Sequence, residues 1–296
     1  MLSPTRWRQR RAVPRPAPAD RTWTGGATQA FDVHEPAGGP RLPLLVHVPH
    51  AGTAIPDDVR AGVVLDDAEL SAEVLALTDW HTDQLAVEPA LATGGVALAN
   101  RMSRLVVDVE RLPDHREPMA AKGLAAVYTH TSAGAVLRRP SPALRRALLA
   151  RYFHPWLDTA ERLVADLLVE HQRCLVVDVH SFPARPLPYE DAARTRPDVC
   201  LGFEEPHVPA GLVDALEATC RDAGLTVARN EPFAGAYVPL SRHRRDARVR
   251  AVMLELNRGL YLDEATAAPG DGFAPTADLV AALIAQCAEW VEATAR

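Results

Sequence analysis

Three short runs constrain this chain more than anything else in it: PLLVHV at 43–48, CLVVDV at 174–179 and AVMLEL at 251–256. Each is rich in Val and Leu and lacks the regular alternation of a sheet with one wet face. Each therefore reads as a strand covered on both sides. Weaker strand signals occur at 95–99, 104–109 and 225–229. Between them, 143–171 places apolar residues at spacings of three and four, with a kink expected at Pro155. Segments 209–223 and 275–294 read as helices in the same way. Strands alternating with helices predict an α/β fold, a three-layer αβα arrangement on a mixed, mostly parallel sheet.

One domain over 28–296 accounts for this pattern. Residues 1–27 are rich in Arg and Pro, lack the apolar stretch of a secretory signal, and are expected to form a disordered tail. Segment 113–142 contains Pro, Gly, Ser and His with little periodicity, and is long for a passive connection, so a cover over a site is expected there.

At 48% hydrophobic residues the chain can bury a sizeable core, and its net charge of −6 weighs against a nucleic-acid partner. Cys174, Cys200, Cys220 and Cys287 form no CxxC pair, which fits neither a zinc ribbon nor a disulfide framework and makes the cytoplasm the expected location. No apolar run reaches the length of about 18 residues that a membrane helix needs, so no membrane partner is expected.

The serine-elbow, HExxH, P-loop and GxGxxG patterns are absent. Position supplies the functional signal instead. In open α/β sheets ligands bind beyond the carboxyl ends of the strands. His50 and His180 follow the first and second runs, and Glu255 lies near the end of the third. Two imidazoles and a carboxylate delivered to one rim suit a catalytic zinc, which commonly takes two histidines and one carboxylate. The acidic ligand is sought in LTDWHTDQLA, 77–86, where Asp79 and Asp83 stand four apart and share a face if helical. His81 lies off that face. Asp178, two residues before His180, can orient a ligating histidine.

Each residue also has a structural alternative: a hydrogen-bonded core histidine, a helix cap at Asp79, or an ion pair between Glu255 and Arg258. Arg101, Arg104 and Arg111 surround a short apolar run, and their planar forks suit a carboxylate-bearing substrate, or else salt bridges to Asp108, Glu110 and Asp114. The basic segment SRHRRDARVR, 241–250, reads as a solvated loop that could add positive field near the rim.

The stretches VPHAGTAIP, TDWHTDQL, SRLVVDVER, VDVHSFP, NEPFAGAYV and LELNRGLY, in that order over about residues 42 to 263, resemble the N-formylglutamate amidohydrolase family. The resemblance implies a fold similar to zinc carboxypeptidases and zinc amidases (the phosphorylase/hydrolase-like folds). It also implies hydrolysis of N-formyl-L-glutamate, a small acidic N-acyl amino acid, to formate and L-glutamate in histidine degradation. It implies a Zn2+ ion on His50, Asp83 and His180, with Asp79 in reserve, and Glu255 as general base. Arg104, Arg111, Tyr237 and Asn257 fall in motifs that line the substrate pocket. Glu110 and Met253 depart from the family pattern, which more often has Asn and Gln there. The competing expectations are another zinc deacylase or carboxypeptidase-type hydrolase on the same scaffold, or a non-catalytic binder of an acidic metabolite.

Overall fold

Successive residues of a strand face opposite sides of its sheet, and this parity separates structure from chemistry here. Leu44, Val46 and Val48, with Leu175, Val177, Val179, Val252, Leu254 and Leu256, belong to one apolar cluster. On the other face Leu45, Val176 and Ala251 join a second apolar cluster. Further along the same strands that face changes character, to His47, Asp178, His180 and Glu255. One face is thus apolar throughout, while the other is apolar at one end and ionisable at the other.

The computed structural model of the chain describes residues 29–39, 41–194 and 196–294, so the tail expected over 1–27 lies outside the described residues. One seven-stranded sheet has the order β1-β3-β2-β4-β7-β5-β6. The strands are β1 (Phe31–His34), β2 (Leu44–Val48), β3 (Val96–Asn100), β4 (Cys174–Phe182), β5 (Val199–Gly202), β6 (Val227–Arg229) and β7 (Val249–Asn257). β3, β2, β4 and β7 run parallel, while β1 lies antiparallel to β3 and β5 to β7. The sheet is therefore mixed and mostly parallel, as the sequence predicts. No helix among the described residues is long and apolar enough to cross a membrane.

Helices cover both faces. His154–His171 packs Trp156, Leu163 and Leu167 onto the face that carries the ionisable residues. Thr82–Ala92 and Phe273–Ala293 cover the other through Leu85, Val280, Leu283 and Ile284. The kink expected at Pro155 takes the form of a π-turn over Leu149–Phe153, between helices Pro142–Leu148 and His154–His171. Proline has no N–H to donate, and its ring crowds the carbonyl a turn earlier. The wider turn relieves that conflict.

Three local expectations need correction. The run 104–109 is not a strand; its apolar residues Leu105, Val106, Val107 and Val109 are buried in turns. The backbone ladder is displaced by local bonds, including Glu110 N–H to the Asp108 side chain and Val106 N–H to Ser103 O. His180 lies within β4 rather than after it. Residues 77–86 do not form one helix: Asp67–Leu77 ends at Thr78, and Thr82–Ala92 starts after His81, whose φ of 64° is left-handed.

Candidate active site

His50 follows β2 by two residues, and the chain around it is tightly held. Asn100 Nδ2 donates to Pro49 O at 2.9 Å, and Asp79 N–H donates to His50 O at 3.0 Å. Gly52 passes so close to the neighbouring chain that a Cβ there would lie 2.2 Å from the Arg101 carbonyl carbon. This contact leaves no room for a side chain, so the glycine is needed to bring His50 to its position.

His50 and His180 point their Nδ1 atoms at each other, 3.3 Å apart. Each ring is held from behind by a carboxylate. His50 Nε2 lies 3.0 Å from Asp108 Oδ1, and His180 Nε2 lies 3.0 Å from Asp178 Oδ1. In the neutral rings, Nε2–H donation to these carboxylates turns both Nδ1 lone pairs into the gap between the histidines. Asp79 Oδ2 completes a triangle, 3.1 Å from His180 Nδ1 and 3.7 Å from His50 Nδ1. Arg258 holds the other oxygen, with Nη2 at 3.3 Å from Asp79 Oδ1, while its Nη1 donates to Ala76 O at 2.7 Å.

Zinc–ligand bonds of about 2.0–2.2 Å in a tetrahedron put neighbouring donors about 3.3–3.6 Å apart. The three observed separations bracket that range, so the donor set fits a zinc ion. Charge agrees in sign. Asp79, Asp108, Asp178 and Glu110 contact the histidines, while the guanidiniums of Arg104, Arg111 and Arg258 lie against Asp108 and Asp79. Carboxylates outnumber guanidiniums here, and the rings respond to it. Burial lowers the His180 pKa, but Glu110, Asp178 and Asp79 outweigh it and hold the group well above its ordinary value. His50 is raised likewise, Asp108 and Asp79 prevailing over burial and Arg104.

Asp79, not Asp83, is the carboxylate brought to the histidines. The i, i+4 relation fails because the left-handed turn at His81 starts a new helix. Asp83 lines a separate cleft with Trp80, Gln84 and Arg101. His81 also turns away, its Nε2 lying 2.8 Å from Ala267 O.

Glu255 sits across from His180 in the β4–β7 register. It is buried, and its Oε2 has no hydrogen-bond partner among the described residues. Burial, opposed by His180 and reinforced by Asp79 and Asp178, pushes its carboxyl up to about 8. A dication on the neighbouring ligands would draw this value down. The ion pair imagined between Glu255 and Arg258 is not formed; Arg258 serves Asp79 and Ser181 instead.

A cleft of about 1000 Å³ opens over these groups, lined among others by Arg104, Arg111, Tyr189, Tyr237 and Leu240. Arg104 spends two of its nitrogens on Asp108 Oδ2, at 3.0 and 2.7 Å. Arg111 is freer, 3.8 Å from Asp108 and 3.6 Å from Glu117, with its side chain 29% exposed. Tyr237 donates its backbone N–H to Asp178 at 2.9 Å, and its buried hydroxyl has no hydrogen-bond partner among the described residues.

Asn257 is not in the cleft lining. Its amide donates to Pro197 O at 3.1 Å and accepts from Gly259 N–H at 3.0 Å, which makes it the cap of the turn that delivers Arg258. The basic loop 241–250 ends where β7 begins, and Arg248 precedes Glu255 by seven residues, about 23 Å of strand. Its charge is also largely matched, Arg242 and Arg248 pairing with Asp246 and Arg244 with Glu204. Ser241, His243 and Arg245 of this loop nevertheless line the cleft with His180 and Glu255, so it borders the site.

Segment 113–142 contributes Tyr128, whose hydroxyl donates to Asp108 Oδ2 at 2.6 Å behind the site, and Arg116, which lines the cleft. Asp108 and Arg258 were legible in the sequence only as salt-bridge partners. Their placement against His50 and Asp79 depends on contacts between distant segments.

With this geometry in view, comparison with known proteins is specific. The family model described as N-formylglutamate amidohydrolase matches residues 42–262. The N-formylglutamate deformylase of Pseudomonas putida is 32% identical over 233 residues, covering 76% of this chain and 83% of that protein. The one from Pseudomonas aeruginosa is 33% identical over 259 residues, covering 85% and 92%. Among solved structures, N-formylglutamate amidohydrolase from Ralstonia eutropha JMP134 superposes with a TM-score of 0.79 at 25% identity, covering 90% of this chain and 99% of that one. The Agrobacterium tumefaciens protein Atu2144 shares the fold, with a TM-score of 0.64 at 20% identity over 90% of this chain and 97% of that one.

Proposed function

This chain belongs to the N-formylglutamate amidohydrolase family and is an amide hydrolase; on that premise we propose that it cleaves N-formyl-L-glutamate to formate and L-glutamate at a metal centre. His50, Asp79 and His180 would hold the metal, with zinc favoured by the donor set. The observation that carries this reading is the convergence of His50 Nδ1, His180 Nδ1 and Asp79 Oδ2 beside an unpartnered Glu255 carboxyl. When bound, the ion acts as a Lewis acid that polarises the formyl oxygen and acidifies a water.

The chain's own groups do the rest. Glu255, as carboxylate, takes a proton from the attacking water as its oxygen bonds to the formyl carbon. It then passes that proton to the glutamate nitrogen as the C–N bond breaks, which leaves formate and the free amine. The Tyr237 hydroxyl is a buried donor for a substrate oxygen. Arg111 and Arg245 both line the cleft and have no side-chain hydrogen bond among the described residues, which makes them the cations best placed to bind substrate carboxylates.

Replacing Arg111 by Lys is expected to raise KM by about tenfold with kcat little changed, as a point charge replaces a fork of charge-assisted hydrogen bonds. Steady-state kinetics on N-formyl-L-glutamate checks this; an unchanged KM removes Arg111 from the carboxylate clamp. Arg104→Lys acts differently, through Asp108 and His50, and is expected to weaken metal retention.

The primary test is formate release by the purified chain, before and after chelation and after zinc is restored. Release that disappears and returns with zinc is the expected result. Stoichiometric zinc with no release would keep the metal site and reject the substrate; release that survives complete chelation would reject the metal. A second reading, hydrolysis of a larger N-acyl amino acid, draws on the cleft volume and on Leu157, Leu187, Phe233 and Leu240 in its lining. A panel of N-formyl and N-acetyl amino acids separates the two.

A further inference from the structure

His47 takes no part in the steps above, yet it is completely buried in the middle of the sheet, between Val46 and Val48. A polar ring in such a place needs partners. Its register partner on β4 is Asp178, and His47 Nδ1 lies 2.8 Å from Asp178 Oδ1. The same oxygen lies 3.0 Å from His180 Nε2, and the other oxygen accepts the Tyr237 N–H at 2.9 Å. The His47 ring is itself fixed, stacked on Tyr237 with centroids 3.9 Å apart and planes 9° from parallel, and backed by Trp156 at 5.2 Å.

We propose that His47 is a positioning residue for the metal site: its Nδ1–H anchors Asp178, and Asp178 holds His180 as the Nε2–H tautomer with Nδ1 bare. The inference rests on the metal reading above and extends it one residue outward. Asp178 Oδ1 is a shared acceptor for two ring donors approaching from adjacent strands. Removing the donor on β2 leaves a buried carboxylate short of one bond, held only by the Tyr237 N–H and by the His180 ring it has to orient. His180 then loses the acceptor that selects its tautomer and fixes the plane of its ring. A few tenths of an ångström at Nδ1 matter to a ligand whose bond length is held within about 0.2 Å.

One other role competes. His47, Glu110 and Asp178 stand close enough to form a cation cage of their own. One observation counts against it: Asp178 Oδ1 already faces two ring nitrogens, at 2.8 and 3.0 Å, and a cation there would have to displace both. Glu110 Oε1 is 3.6 Å from His47 Nδ1, beyond hydrogen-bond reach, so the ring's bond goes to Asp178.

The test compares the full-length wild type with H47L, H47N and H47Q, at matched circular dichroism. Zinc stoichiometry and affinity are read by chelator competition, and the His180 tautomer by nitrogen NMR of histidine-labelled protein. The Asn amide nitrogen falls near the place of Nδ1 and can reach Asp178, whereas the longer Gln places its amide near Nε2 and cannot. Wild type and H47N are expected to bind one zinc tightly and to show the His180 Nε2–H form. H47L and H47Q are expected to bind zinc about 10–100-fold more weakly, the usual effect of losing an outer partner of a ligand. They should also show a mixture of His180 tautomers.

Where H47L fails to fold, the contrast between H47N and H47Q decides. Equal affinities and unchanged His180 signals across the series would overturn the proposal. So would two zinc ions per wild-type chain falling to one in H47L. A wild type that takes up no zinc would reject the metal reading, while the His180 tautomer in the same series, read at a pH high enough to leave the ring neutral, would still decide the role of His47.

Discussion

Glu255→Gln is expected to lower formate release by at least about 100-fold, some 2.7 kcal/mol of transition-state stabilisation, while zinc stays bound. The amide has the shape of the carboxylate but cannot take a proton from water. The expectation of intact metal follows from the ligand triangle, which is made by His50, Asp79 and His180 without Glu255. Metal analysis of the purified variant beside its turnover separates the two effects. A folded, zinc-loaded variant with wild-type turnover would take Glu255 out of the proton transfer. Loss of both metal and activity would make it a ligand instead.

The second large effect distinguishes Asp79 from Asp83. Asp79→Asn is expected to weaken zinc by more than about 100-fold, beyond the usual effect of losing an outer hydrogen-bond partner, and to abolish formate release. It removes the charged donor of the triangle, and it also leaves Arg258 facing a neutral amide in a buried site. Asp83→Asn, in a different cleft, is expected to leave zinc and turnover unchanged. Chelator competition on both variants, run beside wild type, checks the pair. Equal losses would mean that the two acidic residues act together, contrary to the geometry.

What could be read in the sequence was local. The runs holding His47, Asp178 and Glu255 are continuous stretches of strand-forming residues, and a strand end in a parallel sheet has a known relation to ligands. His50 and His180 therefore stand out in the sequence. The resemblance points to Asp83 with Asp79 in reserve, but a single left-handed residue at His81, which the LTDWHTD stretch does not mark with a glycine, starts a new helix and leaves Asp79 beside the histidines. Asn257 is expected at the substrate only because it falls in the LELNRGLY motif of the resemblance. Strand alternation does put it on the same face as Glu255, but at the strand's end its amide is used by two backbone groups. Arg258 reaches Asp79 across 179 positions of sequence, and Asp108 reaches His50 across 58. Pairings of that kind have no periodicity and leave no local trace.

The parity of the sheet has a consequence for how this protein can change. Asp178, His180 and Glu255 project from adjacent strands whose ladder is continuous over nine residue pairs; shifting β4 by one residue would turn Asp178 and His180 into the apolar layer, and shifting β7 would do the same to Glu255. The hydrolytic groups are thus fixed to one another by backbone bonds deep in the molecule. Arg111, Tyr189, Phe233 and Leu240 come instead from segments outside the seven strands. Such segments accept substitution with little effect on the sheet beneath them. Drift within this lineage should therefore alter which acyl amino acid is accepted long before it alters how the bond is cut.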